Sequence, residues 1–415
     1  MTERIDMLDN APWLSIIGIG EDGRAGLSVA AAQALDKATI VFGGPRHLSL
    51  AGIDVTPMGR GRPWPVPFDV GAVLQCRGQR VAVLASGDPF WHGVGTSLSR
   101  HLAPDDWHCW PQPSCASIAA SRLGWALNDC QTLALHASSH APAFRAIKGG
   151  KRAIILVRDG LAARDAAEGL LQSGADAVWV MEALGGPRER IHQITNPSDW
   201  RELDWSIVAS PVLLAASPQQ TKPQPHPVIS GLLDDEFAHD GQFTRRHVRA
   251  LTLLALQPGP GRHLWDLGAG SGSVSLEWCL AGGSASAVER RADRVANIRQ
   301  NIRKFALSDQ MELVEQDISA AIDSLPPPDA VFVGGGATAP LLDRLLAMLP
   351  DGCRLVVNAV TLETEALLIA MHSQFGGELF RMEFSGAAPI GPMTGWVAER
   401  PITRWSICVK SGDDR

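Results

Sequence analysis

At 415 residues, with 45% hydrophobic and 20% charged side chains, the chain is predicted to be a soluble globular protein of two domains of roughly 200 residues each. A formal net charge of −7 argues against a broad nucleic-acid surface; no apolar run reaches 18 residues, and Met1–Asn10 is too polar for a secretory signal. The seven cysteines (76, 109, 115, 130, 279, 353, 408) are odd in number and form no C-x-x-C pair, so reduced, buried thiols of a cytoplasmic protein are expected, with no disulfide frame and no metal site.

In chain order, the first predicted strand begins at Trp13 and runs into Gly18-Ile19-Gly20-Glu21-Asp22-Gly23. That spelling matches a dinucleotide fingerprint but fails its test. The next strand, Thr39–Gly43, ends without an acid for a ribose, and Glu21 and Asp22 would face a pyrophosphate. A second loop, the tight turn Ser86-Gly87-Asp88-Pro89, ends a buried apolar strand from Val81. A third loop, Pro113-Ser114-Cys115-Ala116-Ser117, places cap-type serines at the start of a helix. His92 and Cys115 fit a packed or solvated role.

Prolines and polar residues from Ser217 to Pro227 predict an extended linker over 211–228, separating a domain at 1–210 from one at 229–415. Thr244–Leu256 then reads as an amphipathic helix with Val248, Leu251, Leu254 and Ala255 on its inner side. Strands are predicted at His263–Leu267, Ser286–Glu289, Met311–Glu315, Ala330–Val333, Arg354–Asn358 and Arg404–Val409, with helices between most of them.

The most informative turn is Asp266-Leu267-Gly268-Ala269-Gly270-Ser271-Gly272, followed by Glu289 at the end of the next strand. Glycines let the backbone bend sharply and approach a ligand that a Cβ would hold off. A carboxylate closing the second strand suits the two hydroxyls of a ribose. Asp266 would repel a pyrophosphate but suits a cationic, zwitterionic ligand. Near the end of the fourth strand, Gly334-Gly335-Gly336 leaves room for a bulky substrate, and the chain has no tyrosine with which to build an amine-gripping box.

The D-x-G-x-G-x-G spelling resembles that of class I S-adenosylmethionine methyltransferases. Together with Asp234-Asp235-Glu236-Phe237, Gly241–Arg249, Gly334–Gly336 and Val357–Glu365, residues 229–415 resemble the precorrin C15-methyltransferases. That resemblance implies a Rossmann-like seven-stranded fold. Asp266, Thr244, Gly268, Ala269, Gly270, Ser271, Gly272, Glu289 and Ile318 would line the cofactor pocket, with Asp317 at the adenine. Arg245, Arg246, Arg249 and Asn358 would meet substrate carboxylates, and Gly334, Gly335 and Gly336 would border the substrate. Residues 12–210 resemble the tetrapyrrole methylases, in particular the branch that methylates carbon 5. The implied fold is two α/β lobes with S-adenosylmethionine in the cleft between them. Gly87, Asp88, Ser114 and Ser117 would border the cofactor, and Gly18 and Gly20 the tetrapyrrole. Together the two resemblances imply an α/β protein that binds one S-adenosylmethionine per domain. It would methylate precorrin-6B at carbons 5 and 15, decarboxylate its ring C acetate, and act as a cytoplasmic homo-oligomer without nucleic acid or membrane.

Overall fold

The computed structural model describes residues 12–196, 199, 203–205, 212–218 and 230–410. The chain divides into two compact units, Met1–Gln224 and Pro225–Arg415.

The first unit holds two five-stranded sheets. Strands β1 (Leu14–Ile19), β2 (Ile40–Gly43), β3 (Gly61–Pro63), β4 (Val81–Ser86) and β5 (Trp107–Trp110) are all parallel, in the order β3-β2-β4-β1-β5. A parallel strand covered on both faces needs apolar residues on both sides of its pleat. In β1, Leu14 and Ile16 enter one core cluster while Ile17 and Ile19 enter another. The second sheet contains β6 (Cys130–Ala134), β7 (Arg152–Val157), β8 (Ala175–Glu182), β9 (Arg190–Ile194) and β10 (Val212–Pro218), in the order β6-β7-β10-β8-β9. Only β6 and β7 pair in parallel.

Strand β10 corrects the linker expected over 211–228. Val212–Ala216 is buried at the centre of this sheet, paired with β7 and β8. The run Val-Leu-Leu-Ala-Ala supplies a core strand, and Pro218 falls at its end, where the register against β8 shifts. The rest of the expected linker, at 211 and 219–228, lies outside the described residues.

The second unit is built on a seven-stranded sheet. Its strands are β11 (His263–Leu267), β12 (Ser284–Val288), β13 (Met311–Val314), β14 (Ala330–Val333), β15 (Arg354–Ala359), β16 (Glu378–Met382) and, after the hairpin β17 (Ser385–Ile390) and β18 (Met393–Ala398), β19 (Ile402–Cys408). The order is β13-β12-β11-β14-β15-β19-β16, parallel except for β19, which runs antiparallel to both neighbours. Strand order reverses between β11 and β14, and open α/β sheets bind ligands at the carboxyl ends of the strands at such a point.

The helix preceding β11 spans Arg246–Leu256 and buries Val248, Arg249, Thr252, Leu253 and Leu256. The predicted inner face was therefore rotated: Leu254 is 70% exposed, while Arg249 is fully buried. All seven cysteines are free, but only Cys279 and Cys353 are buried and Cys408 is exposed. Among the described residues no cluster could hold a metal ion, and no helix is long and apolar enough to cross a membrane.

Candidate functional site

The turn after β11 is shaped by three left-handed glycines, Gly268 (φ +72°), Gly270 (φ +62°) and Gly272 (φ +72°). The N–H groups of Gly268 and Ala269 both donate to Val288 O, which pins the turn to the end of β12. A Cβ on Gly268 would lie 2.7 Å from Gly335 O, so the two glycine tracts meet backbone to backbone across the switch point. Gly334 and Gly336 flank that contact, and Ile318 reaches to 3.6 Å from where a Gly336 Cβ would lie. Among the described residues, nothing lies within 4 Å of a Cβ built on Gly335.

Glu289 is 5% exposed and stands beside this turn, just past the end of β12. One carboxylate oxygen accepts from Gly270 N–H at 3.0 Å, and the other accepts from the N–H groups of Arg290 and Arg291 at 2.9 Å. Asp266 is 1% exposed, and its Oδ2 accepts from the Ser275 amide and hydroxyl. Burial pushes its carboxyl up to about 6, with the charge of Glu289 adding to the rise. Among the described residues, Asp266 Oδ1 and Ser271 Oγ are buried without a partner. A glycine cradle, a fixed ribose-type carboxylate and unpaired buried oxygens fit a nucleoside ligand with a cationic tail. Asp317 stands on the exposed rim, capping the helix Ile318–Ala321, with Oδ2 3.6 Å from Arg290 Nη1.

The segment before helix Arg246–Leu256 lies over the glycine turn: Gln242 O is 3.8 Å from a Cβ built on Gly270. Arg245 and Arg246 begin the helix exposed, available to an anionic substrate, and Thr244 is half-buried beside them. Arg249 departs from its expected role. It is fully buried, donating to Glu277 (2.8 Å), Asp234 (3.2 Å), Thr244 O (2.7 Å) and Leu232 O (2.6 Å), so it cannot meet a substrate carboxylate. Asn358 also departs. Its Nδ2 donates to Thr252 Oγ1 at 2.9 Å, and the atom left over is the buried acceptor Oδ1, which would repel a carboxylate.

In the first unit the adjacent strands β4, β1 and β5 bring Gly87, Gly18 and Ser114 together. Gly18 must lack a side chain because its Cβ would overlap Gly87 O, and Gln112 N–H donates to that same oxygen. Gly87 (φ +54°) abuts Pro113 O. Asp88 folds back to accept from Phe90 N–H. Ser114 caps helix Cys115–Leu123 and shares a 2.9 Å hydroxyl contact with Ser117. Gly20 keeps the turn after β1 clear for the Asp22 carboxylate.

Residues 14–197 match the family described as tetrapyrrole (corrin/porphyrin) methylases, and residues 235–409 match the precorrin methyltransferase domain. A precorrin-6Y C(5,15)-methyltransferase [decarboxylating] of Sinorhizobium sp is 41% identical over 403 residues, covering 95% of this chain and 96% of that protein. The chain belongs to the precorrin-6Y C5,15-methyltransferase (decarboxylating) family. A protein of the same name from Mycobacterium tuberculosis is 38% identical over 407 residues, covering 94% of this chain and 98% of that protein. A crystal structure titled as the C-terminal domain of precorrin-6Y C5,15-methyltransferase from Rhodobacter capsulatus is 51% identical, covers 44% of this chain and 98% of that one, and superimposes with a TM-score of 0.43.

In this precorrin-6Y methyltransferase family member, some residues that hold the site together gave no signal in the sequence. Asn301 is fully buried on helix Ala292–Phe305. It accepts from Ala238 N–H (2.8 Å) and donates to Ala238 O (3.0 Å) and Ser271 O (2.9 Å), clamping the covering segment to the glycine turn. Arg294 adds bonds to Asp240 (2.9 Å) and Gln242 (2.8 Å). A lone asparagine inside a helical pattern reads as an ordinary surface residue, so nothing local pointed to it. Strand β16 and the hairpin β17–β18 were also missed, because their residues are mostly exposed and show no apolar alternation.

Proposed function

We propose that this chain methylates precorrin-6B (precorrin-6Y) at carbons 5 and 15 and decarboxylates the ring C acetate, giving precorrin-8X, with one S-adenosylmethionine in each unit. The carrying observation is the pair of glycine tracts at the switch point. One leads to the ribose-type carboxylate of Glu289, and the other presents the open Gly335 position beside it. The match to whole-length relatives supports the same reading. When bound, S-adenosylmethionine supplies an electrophilic sulfonium methyl group. Glu289 would hold its ribose, Asp266 and Ser271 would face its polar groups, and the Gly334–Gly336 tract would let a macrocycle approach without side-chain bulk. The meso carbons of a reduced tetrapyrrole are electron-rich, so the protein's task is alignment, which is worth about 7–11 kcal/mol. Carbon dioxide would leave with the electron pair of the broken C–C bond passing into the protonated macrocycle, and Arg245 and Arg246 would hold other carboxylates.

We assign carbon 15 and the decarboxylation to the second unit and carbon 5 to the first, which includes strand β10. Loops around Gly18, Gly87 and Ser114 would form the second cofactor site, with Gly18 and Gly20 towards the macrocycle. A homo-oligomer fits the hairpin β17–β18, which carries no charged residue and leaves Trp396 78% and Met393 73% exposed. Light scattering of the full chain tests that. Incubation of the full chain with precorrin-6B and S-adenosylmethionine tests the function. The expected product has gained two methyl groups and lost one carbon dioxide, and an unaltered macrocycle would refute the reading.

A further inference from the structure

In the first unit, Glu21 follows Gly20 at the end of β1 with its side chain only 7% exposed. It is not aimed at open solvent. One of its carboxylate oxygens pairs with Arg46 Nη1, at the start of helix Pro45–Leu50, and the other lies 3.8 Å from Arg188 Nη2, in the turn between β8 and β9. The two sheets of this unit therefore each contribute one guanidinium to a single carboxylate. Gly186 permits the approach, since its Cβ would lie 2.5 Å from Glu21 Cβ. The neighbouring acids are committed elsewhere. Asp22 turns its carboxylate onto Gly20 and Gly26, and Glu189 is paired with Arg122 at 2.6 Å.

Two guanidiniums against one carboxylate leave one net positive charge. The positive groups are also the accessible ones, with the Arg46 side chain 32% and that of Arg188 74% exposed. Like-charge strain is present: burial first, and then the charge of Arg188, pull Arg46 below its ordinary value. A second anion relieves that strain and completes the charge balance, and guanidiniums recognise carboxylates through paired hydrogen bonds. The cluster lies beside the loops of the expected carbon 5 site, because Glu21 directly follows Gly18-Ile19-Gly20.

We propose that Arg46 and Arg188, held apart and presented by Glu21, form a subsite for one peripheral carboxylate of the macrocycle at the carbon 5 methylation centre. This inference rests on the function proposed above. Glu21 is a positioning residue, and the arginines select a substrate by its carboxylate side chain and by where that chain is attached.

The test uses the full chain with Arg188→Gln and Arg188→Lys. Arg188 is exposed, so neither change threatens the fold, and S-adenosylhomocysteine titration checks that the first unit still binds its ligand. For Arg188→Gln, the expected result is a KM for carbon 5 methylation raised roughly two- to fivefold, with kcat and carbon 15 methylation unchanged. Arg188→Lys should recover part of the loss. Added salt should raise the wild-type KM more than that of Arg188→Gln. An unchanged KM in Arg188→Gln would overturn the subsite. Weakened S-adenosylhomocysteine binding with an unchanged macrocycle KM would also overturn it, by giving the arginines to the amino-acid tail of the methyl donor. Failure of the wild-type chain to methylate carbon 5 at all would instead refute the function on which the subsite rests.

Discussion

Glu289 has both carboxylate oxygens fixed by backbone N–H groups, one of them from the glycine turn, so its position is set before any ligand arrives. Replacing it with alanine removes a charge-assisted acceptor of about 1.5–3 kcal/mol. Calorimetric titration should show S-adenosylmethionine affinity in the second unit falling roughly ten- to a hundredfold, with the fold retained. Gly335 makes the opposite case. Its added Cβ meets nothing among the described residues within 4 Å, so Gly335→Leu should fold and bind the cofactor within a few-fold of wild type while carbon 15 methylation is lost. Loss of cofactor binding as well would mean that the tract serves the cofactor rather than the substrate. Asp266 makes a pH prediction. Its carboxyl is raised by burial from 3.8 to about 6, so the native state holds the proton more tightly than the unfolded chain does. Stability of the ligand-free second unit is therefore fullest below about pH 4 with respect to this group, and declines as pH rises to about 6. At about 1.4 kcal/mol per pH unit, the decline amounts to roughly 3 kcal/mol. Urea unfolding across that window should show the slope in wild type and its loss in Asp266→Asn.

Helix Arg246–Leu256 shows what a buried charge does to an element. Its inward face includes Arg249, tied to Glu277 on the neighbouring helix Ser273–Leu280 and to the backbone of residues 232 and 244. An apolar-periodicity reading placed Leu254 inside because it had no means of scoring an arginine as core. Removing the guanidinium would strand the Glu277 carboxylate, which also accepts from the amides of Gly231 and Leu232. Arg249→Leu should therefore destabilise the second unit by about 3–5 kcal/mol, measured by its denaturant midpoint. Loss of methylation without a stability change would return Arg249 to the substrate. The same logic separates Arg245 and Arg246, which start the helix in solvent, from the arginine one turn further on.

At the scale of the molecule, each compact unit owns its strands, its core clusters and its glycine loops, and the division falls between Gln224 and Pro225. Strand β10 belongs to the first unit, so a separation made before residue 218 would remove a central strand of its second sheet. Fragments 1–220 and 225–415 keep every described strand and should each express folded and bind one S-adenosylmethionine. The second fragment should methylate carbon 15 and release carbon dioxide without its partner. The first should then methylate carbon 5 of that product. A folded second fragment that binds cofactor yet releases no carbon dioxide would sink the assignment of decarboxylation to it.

The α/β class, the strands from β11 to β15, the glycine turn and the acid at 289 were legible in the order of residues, because each depends on local chemistry. A buried parallel strand needs an apolar run, a left-handed turn needs glycine, and the acid at 289 follows directly on the strand whose apolar run marks it. Arg249 at the core, the clamp from Asn301 to Ser271, the acceptor face of Asn358 and the Arg46–Glu21–Arg188 cluster were not legible. Each joins residues from 15 to more than 160 positions apart, and a polar side chain carries no mark of its partner until packing removes water from around it.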